Sequence, residues 1–243
     1  MKKLKFGILI TARTKSKRLK YKVILPLQKK IRVIEFLIDR LIKKFGKNRI
    51  CLITSRYKSD DILNIISQQK KISIYRGYPV DVLKRIYHAS LKMRWDYTIN
   101  ITADNPFVDT EYAFKMLKFH IKNKSDFTEI SKLPIGLRSY ILSTKNLKKI
   151  VKSKKIINTE IWGNFFRNNQ KLRCFDYKNI KKKYQNKAIR LTLDEELDYK
   201  LLKIIAKKLI NKEINTENIF NFLNKNKKIA NMNSSVIQKK PKI

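Results

Sequence analysis

The first hundred residues alternate between short apolar runs and amphipathic stretches, and this rhythm constrains the fold more than any other feature of the sequence. Strands are predicted over 4–11, 49–54, 71–77 and 97–103, and helices over 31–45, 59–69 and 80–93. Strands that alternate with helices imply right-handed crossovers and a mostly parallel sheet with helices on both faces. We therefore predict an α/β protein built as a three-layer sandwich.

The rhythm is less regular beyond residue 130. Strands are predicted over 134–144 and 189–193 and helices over 145–154 and 195–209, with an aromatic-rich segment at 158–168. The chain of 243 residues is near the upper size of a single domain. We expect one domain over 1–225 and a basic, polar tail over 226–243 that is poorly ordered.

The charge of the chain raises the question of its partners. The sequence has 58 Lys and Arg against 19 Asp and Glu, a formal charge of +39, which is typical of proteins that bind nucleic acid or anionic membranes. The cations are mostly lysines spread along the whole chain, whereas direct base recognition favours the bidentate fork of arginine. Nucleic acid is therefore not expected as the main partner.

Cysteines and apolar segments indicate the compartment. Cys51 and Cys174 lie far apart without a CxxC companion, which argues against a disulfide framework and a structural zinc site. The apolar run before Arg13 is too short for a signal-peptide core, and no stretch approaches the roughly 20 apolar residues of a membrane-spanning helix. We expect a cytoplasmic protein without membrane insertion.

A basic loop at 12–22 follows the first predicted strand. Ligands of open α/β sheets bind at the carboxyl ends of the strands, where this loop and the loops 76–81 and 104–109 fall. The loop suits a triphosphate, but it lacks the glycine patterns of phosphate-binding loops, so side-chain cations would have to hold the phosphates. Without other evidence, a solvated basic loop is the favoured interpretation.

Two aspartates follow predicted strands, Asp104 after 97–103 and Asp194 after 189–193. Carboxylates brought together at one edge of a sheet can hold Mg²⁺, which bridges phosphate oxygens. Taken singly, each aspartate is read as a helix cap or a turn residue. His88 and His120 lie in predicted helices without a metal-ligand companion and are assigned structural or surface roles.

Four segments, in one order along the chain, resemble the motifs of a known family. ILITARTKSKRLKYKVILPL is similar to ARxxSxRLPGKxL, YRGYPVDVLKRIYHAS to RGxxxDVLxRxxxA, INITADNPFVD to RxTxDxPxxD and IRLTLDEELDYKLL to RxTxDxxxDxxLL. These are motifs of the SpsF-like cytidylyltransferases of spore coat polysaccharide biosynthesis, relatives of the acylneuraminate and 3-deoxy-octulosonate cytidylyltransferases. The resemblance covers nearly the whole globular part.

The resemblance implies a fold and an activity. The fold is nucleotide-diphospho-sugar transferase-like (GT-A, Rossmann-like). The activity is transfer of CMP from CTP to a sugar or phosphorylated small-molecule acceptor, with release of pyrophosphate, for surface polysaccharide or capsule biosynthesis. Mg²⁺ is the implied cofactor. Related enzymes are often dimers, so a homodimer is expected by analogy.

The resemblance also implies the site residues. The nucleotide would be bound by Ala12, Arg13, Ser16, Arg18, Lys22, Arg76, Gly77, Asp81, Thr102 and Asp104. Of these, Arg13, Lys22 and Asp104 would be catalytic, and Asp104 and Asp194 would hold Mg²⁺. The acceptor would be bound by Arg138, Tyr140, Glu160 and Trp162.

The sequence departs from the family pattern in two places. The Pro-Gly before Lys22 is replaced by Lys20-Tyr21, which loses a rigid and a permissive residue. In the acceptor region, the family's Gly-x-x-x-Glu ends in Tyr140, and its Glu-His becomes Glu160-Ile161. We expect a less acidic, more aromatic acceptor pocket, in which Arg138 is a candidate for binding a carboxylate or phosphate.

Two alternative functions remain open from the sequence. The altered loop and the high charge fit a catalytically degenerate family member or a basic nucleic-acid-binding protein, which would bind with a steep salt dependence. An active enzyme could also use another nucleotide, because base recognition is not readable from these residues.

Overall fold

A central sheet of seven strands organises the part of the chain that the structure, a computed structural model, describes: residues 4–160 and 162–238. The strands in chain order are β1 (Phe6–Thr11), β2 (Pro26–Gln28), β3 (Ile31–Arg32), β4 (Ile50–Ser55), β5 (Ser73–Gly77), β6 (Tyr97–Thr102), β7 (Phe127–Glu129), β8 (Tyr140–Ser143) and β9 (Cys174–Asp176). The order in the sheet is β5-β4-β1-β6-β8-β7-β9, and β2 and β3 form a separate hairpin.

The sheet is mostly parallel. Strands β5, β4, β1 and β6 run in the same direction, and β9 is parallel to β7. Strand β8 is antiparallel to both of its neighbours, β6 and β7. The carboxyl ends of β1, β4, β5 and β6 therefore meet at one edge of the sheet, which is the edge where ligands bind in such folds.

Helices cover both faces of the sheet. They are α1 (Val33–Phe45), α2 (Asp61–Gln69), α3 (Val82–Lys92), α4 (Thr110–Lys122), α5 (Thr144–Ser153), α6 (Asn164–Arg167), α7 (Glu196–Lys208), α8 (Thr216–Lys225) and α9 (Lys227–Ala230). The larger apolar core lies under α1, α4, α7 and α8, and the smaller one under α3, α5 and α6. The predicted three-layer α/β sandwich with a mostly parallel sheet is confirmed.

Strand β1 shows why the first apolar run of the sequence is continuous. Ile8 and Ile10 point into the larger core, whereas Leu9 points into the smaller core with Cys51 and Ile53 of β4. All five are at most 1% exposed. A strand buried on both faces has no solvent side, so its sequence does not alternate with polar residues.

The predicted strand over 189–193 is not a strand of the sheet. It makes a single bridge, between Arg190 and Ile135, and its Leu193 N–H donates to the carbonyl of Asp104 at 2.8 Å. The segment is held by the turn at Gly136, whose φ of +98° suits glycine and where a Cβ would lie 2.1 Å from the carbonyl carbon of Leu191. The predicted strand over 134–144 is likewise shortened to β8.

The segment predicted as a poorly ordered tail has a defined conformation in its described part. Residues 226–238 contain α9 and a turn in which Asn233 is 2% exposed. Ile229, Ala230 and Met232 pack against the larger core. Residues 239–243 of the predicted tail lie outside the described residues.

The structure describes the helices and both cysteines of the chain. In residues 4–160 and 162–238, no helix combines the length and apolar character that a membrane crossing requires. Cys51 is buried and Cys174 half-buried, and both are free thiols. Burial raises the pKa of Cys51 to about 12 and that of Cys174 to about 11, so neither is a reactive thiolate.

His120 has the structural role expected from the sequence and predicts an acid-sensitive fold. Its buried ring lies 2.8 Å from Thr128 Oγ1 and 2.9 Å from Ser143 Oγ, and burial lowers its pKa to about 3. Because the unfolded chain binds this proton near pH 6.5, the free energy of unfolding falls as the pH drops below 6.5, by about 1.4 kcal/mol per pH unit.

We expect His120→Gln to flatten the pH dependence of the unfolding free energy between pH 6.5 and 4, measured by urea titration. His88→Gln, which removes the other histidine, is the control; equal slopes in both variants would contradict the prediction.

Candidate active site

The loop after β1 is anchored by a buried carboxylate, Asp60. Its Oδ1 accepts hydrogen bonds from the backbone N–H of Thr14 at 2.8 Å and from Thr14 Oγ1 at 2.7 Å. Its Oδ2 accepts from Thr54 Oγ1 at 2.9 Å and Ser55 Oγ at 2.5 Å. Burial alone would raise the pKa of Asp60, but these hydrogen bonds outweigh it and lower the pKa. Asp60 therefore ties the start of the basic loop to the end of β4.

Lys22 brings the two predicted metal ligands together. Its ammonium lies 2.7 Å from Asp104 Oδ2 and 2.9 Å from Asp194 Oδ1. Asp104 follows β6, and Asp194 follows the segment 189–193, whose backbone bond to Asp104 places the two aspartates side by side. The expectation that both carboxylates meet at one edge of the sheet agrees with this geometry, although Asp194 is not at the end of a sheet strand.

The charges of this cluster reinforce one another. Burial would lower the pKa of Lys22, but Asp104 and Asp194 outweigh burial and raise it, so the ammonium stays protonated. Burial would raise the pKa of Asp194, but Lys22, Arg18 and Arg190 outweigh burial and lower it, so the carboxylate stays ionised.

Arg18 and Arg190 complete the surroundings of Asp194. Arg18 Nη2 lies 2.8 Å from Asp194 Oδ1, and its other terminal nitrogen is 3.9 Å from Glu195 Oε1. Arg190 Nη2 lies 2.8 Å from Asp194 Oδ2. One oxygen of Asp194 thus faces the basic loop, and the other faces the protein interior. Sequence reasoning did not identify Arg190, although it is the first residue of the fourth motif.

Tyr21 keeps the conformation that the family's glycine allows. Its φ of 56° and ψ of 20° are left-handed, a region that costs a non-glycine residue about 1–2 kcal/mol. The strain is compatible with the fold because the ring is 53% exposed and the next residues form a short 3₁₀ helix, Lys22–Ile24. The loss of Pro-Gly therefore leaves Lys22 aimed at the two aspartates.

Arg13 is paired with a residue of the predicted acceptor region. Its guanidinium makes a bidentate ion pair with the carboxylate of Glu160, and both side chains are about half exposed. The pair connects the basic loop to the segment before α6. A triphosphate at the loop would compete with Glu160 for Arg13. Arg13 could bind the phosphates only if this ion pair opens.

In the segment that resembles RGxxxD, Arg76 and Gly77 mainly hold neighbouring parts of the fold in place. Arg76 donates to the carbonyl of Ser55 at 3.1 Å and forms an ion pair with Asp61 at 2.6 Å. At Gly77 a Cβ would lie 2.7 Å from the Tyr75 ring and 3.0 Å from the stem of Arg85, so glycine is needed for close packing.

Asp81 is the N-cap of α3 and is buried. It accepts from the Lys84 N–H at 3.0 Å, from Thr159 Oγ1 at 2.9 Å and from Lys154 Nζ at 2.5 Å. Its carboxylate is thus occupied by contacts that join α3 to the segment after α5. Arg85, which the sequence analysis did not single out, donates to the carbonyls of Tyr78 and Pro79 at 2.8 Å each. It thereby holds the loop before α3.

The predicted acceptor residues Tyr140 and Trp162 belong to an aromatic cluster. The Tyr140 ring stacks on Phe127 at 5.9 Å and meets the Trp162 ring edge-on at 5.2 Å. Burial, and then the charge of Glu129, raise the pKa of Tyr140, and Asp104 adds to this effect. The phenol is therefore a protonated donor within electrostatic range of Asp104. Ile161, the altered residue between Glu160 and Trp162, lies outside the described residues.

Arg138 enters the same region from the loop before β8. Its Nε donates to the carbonyl of Leu133 at 2.6 Å, and its terminal nitrogens have no ion-pair partner within residues 4–160 and 162–238. The residue is half-buried, and burial lowers its pKa. A desolvated guanidinium with a free fork is a suitable ligand for a carboxylate or phosphate.

The remaining predicted nucleotide ligands lie after β1, on the basic loop and at the end of β6. Ala12 is 3% exposed, and its N–H donates to the carbonyl of Ile53 at 3.0 Å. Ser16 is half-buried on the basic loop. Thr102 ends β6, two residues before Asp104, and its hydroxyl accepts from Asn105 Nδ2 at 2.8 Å.

The donor set suits a hard divalent cation. No cluster of three or more acidic, histidine or cysteine ligands occurs in residues 4–160 and 162–238, which excludes an all-protein cage within that part of the chain. Mg²⁺ is usually held by one or two carboxylates together with waters and substrate phosphates. Asp104 and Asp194 provide such a pair, so the residues fit the implied ion when phosphate supplies further ligands.

Comparisons with known proteins agree with the fold. A family model described as cytidylyltransferase matches residues 7–233. An uncharacterized protein of Methanocaldococcus jannaschii is 31% identical over 233 residues, 95% of each chain. The spore coat polysaccharide biosynthesis protein SpsF of Bacillus subtilis is 27% identical over 225 residues, 90% of this chain and 93% of SpsF. A solved cytidylyltransferase structure from Leptospira borgpetersenii has a TM-score of 0.86 and 23% identity, covering 97% of this chain and 100% of its own.

The fold and the family match together define a nucleotidyltransferase. More narrowly, the match over residues 7–233 shows that the chain belongs to the cytidylyltransferase family.

Proposed function

We propose that the protein transfers CMP from CTP to a sugar or phosphorylated small-molecule acceptor and releases pyrophosphate. The observation that carries the proposal is the position of Lys22, within 2.9 Å of both Asp104 and Asp194, on a basic loop at the carboxyl end of β1. A triphosphate needs cations to hold it, and the chemistry needs carboxylates nearby to bring a metal ion to the phosphates.

The proposed reaction is an in-line attack by an acceptor hydroxyl or phosphate oxygen on the α-phosphorus of CTP. Arg13, Arg18 and Lys22 stabilise the negative charge of the leaving pyrophosphate, and the loop, anchored at Thr14 by Asp60, positions it. Asp104 and Asp194 would hold Mg²⁺, which neutralises charge on the phosphates. Because Lys22 contacts the same two carboxylates, it is placed to exchange them for phosphate oxygens when the nucleotide binds.

The acceptor is proposed to bind between Arg138, Tyr140, Glu160 and Trp162. The aromatic pair offers apolar area and a buried phenol donor, and Arg138 offers a fork for an anionic group. The similarity to the spore coat polysaccharide biosynthesis protein SpsF supports a role in surface polysaccharide or capsule biosynthesis. We also propose that the reaction takes place in the cytoplasm. By analogy with related enzymes, we also propose a homodimer.

The nucleotide is tested by thermal unfolding with CTP, UTP, ATP or GTP, each with Mg²⁺ or with EDTA. A ligand at about a hundred times its dissociation constant adds about 2.7 kcal/mol to the unfolding free energy, which for a chain of this size raises Tm by roughly 5–10 °C. We expect this rise with CTP and Mg²⁺ and a much smaller one with the other bases.

Other outcomes of this experiment separate the alternatives. A larger rise in Tm with another nucleotide would mean that the protein is a nucleotidyltransferase that uses that nucleotide and not CTP. No shift with any nucleotide contradicts the proposal and favours a degenerate member of the family. In that case, binding to nucleic acid would be measured near physiological salt. Binding there would indicate that the protein, with its charge of +39, is a nucleic-acid-binding protein.

A further inference from the structure

A buried hydrogen-bond network lies directly behind Asp194. Its centre is Asp198, which is 0% exposed and accepts from Arg190 Nε at 2.9 Å. Asp198 also accepts from the backbone N–H groups of Asp194 and Glu195, each at 3.0 Å. This carboxylate therefore fixes both the backbone at Asp194 and the guanidinium that holds Asp194 Oδ2.

The network continues into the segment after α9. Asn233 Nδ2 donates to Asp198 Oδ1 at 2.7 Å and to the carbonyl of Arg190 at 3.1 Å. Gln238 Oε1 accepts from Arg190 Nη1. Residues near the carboxyl end of the described chain thus reach the site through two polar side chains.

Asn233 is buried and is hydrogen-bonded through both its side chain and its backbone. Its carbonyl accepts the N–H of Val236 at 3.1 Å, and its side chain is 2% exposed. Two residues earlier, Asn231 is exposed and serves the turn through its backbone. Asn233 therefore contacts the network, whereas Asn231 belongs only to the turn.

We propose that Asn233 is a positioning residue of the nucleotidyl-transfer site, acting through Asp198 and Arg190 to orient Asp194. Asn233 and Arg190 both donate to Asp198, and Arg190 also donates to Asp194 Oδ2, so a continuous chain of contacts links Asn233 to Asp194. The opposite oxygen, Asp194 Oδ1, is left facing Arg18 and Lys22. The inference rests on the proposed function, in which Asp194 faces the metal and the triphosphate.

Groups that orient a metal-binding carboxylate affect metal-dependent binding more than binding without metal. Loss of such an outer contact costs about 10- to 100-fold in metal affinity. The quantity to measure is therefore the gain in CTP affinity that Mg²⁺ provides, which is the ratio of the CTP dissociation constants in EDTA and in Mg²⁺. Titration calorimetry gives both constants without an acceptor and without turnover.

We expect Asn233→Ala to reduce this Mg²⁺-dependent gain by about tenfold while the affinity for CTP in EDTA changes by less than about twofold. Asn233→Leu keeps a similar side-chain volume and removes both donors without adding a charge, so its loss should be about as large. It also provides a second measurement if the alanine variant does not fold. Asn231→Ala is the matched control and should behave like the wild type.

The outcomes distinguish the positioning role from the proposed function. A full Mg²⁺-dependent gain in both Asn233 variants, with the gain lost in Asp194→Asn, would overturn the positioning role and leave the function intact. Equal weakening of CTP binding with and without Mg²⁺ in the Asn233 variants would also overturn it, because a purely structural role has that signature. Absence of any Mg²⁺-dependent gain in the wild type would overturn the proposed function itself.

Discussion

Asp104→Asn is expected to lower turnover by at least about a hundredfold while leaving the fold intact, which corresponds to about 2.7 kcal/mol of transition-state stabilisation. Asp104 Oδ2 accepts from Lys22 at 2.7 Å, and its side chain is 24% exposed toward the site. The amide retains the shape and an acceptor oxygen, but it has no charge for Mg²⁺ or for Lys22. The assay is pyrophosphate release with the nucleotide and acceptor that give the fastest wild-type reaction.

Asp39→Asn is the control for this substitution. Asp39 is also paired with a lysine, Lys70, at 2.6 Å, but on the surface and 47% exposed. It should keep wild-type turnover, since a surface ion pair contributes little. Both variants should show the same far-UV circular dichroism and cooperative thermal unfolding. Normal turnover in Asp104→Asn would contradict the proposed role of this carboxylate.

The sequence was sufficient to predict the fold because its signals there are local. The apolar runs of β1 and β4 are continuous since both faces are buried, and helix α1 has its apolar residues at helical spacing. The wrongly predicted strand at 189–193 has the same local signal. What distinguishes it is the turn at Gly136, whose backbone approaches Leu191, and this contact is not visible in the local pattern.

The candidate site was predictable to the extent that its residues lie in motifs. The structure brings Arg18, Lys22, Asp104 and Asp194 into contact, and their roles in binding and catalysis stay predictions. Asp60 falls within the helix predicted over 59–69, but in the structure it is a buried anchor for Thr14. An aspartate before a helix gives the same sequence signal in both roles, because only the partner 46 residues away distinguishes them.

The formal charge of +39 gives a misleading picture of the site. Around Asp194, the cations Arg18, Lys22 and Arg190 are matched by carboxylates that each lie within 4 Å of one of them, including Asp104, Glu195 and Asp198. The excess positive charge therefore lies outside this group of paired residues. Ligand selectivity at the site depends on exchanging these internal ion pairs for phosphate oxygens, and the net charge alone does not describe it.

Asp198→Ala should destabilise the protein by about 3–5 kcal/mol, because it removes one partner of a buried ion pair and leaves Arg190 with a single carboxylate. The substitution also removes the acceptor of two backbone N–H groups at the start of α7 and of Asn233 Nδ2. Each buried donor left without a partner adds about 1–3 kcal/mol of desolvation cost, partly relieved by water that enters the space.

The free energy of unfolding of Asp198→Ala is measured by urea titration near neutral pH, with Glu196→Ala as the control. Glu196 also lies in the first turn of α7 but is exposed, so its loss should cost less than about 1 kcal/mol. A loss of less than about 1 kcal/mol in Asp198→Ala would mean that water replaces the carboxylate at little cost. Asp194 would then not depend on this network for its orientation, since a network that can be removed cheaply cannot hold a neighbouring side chain in place.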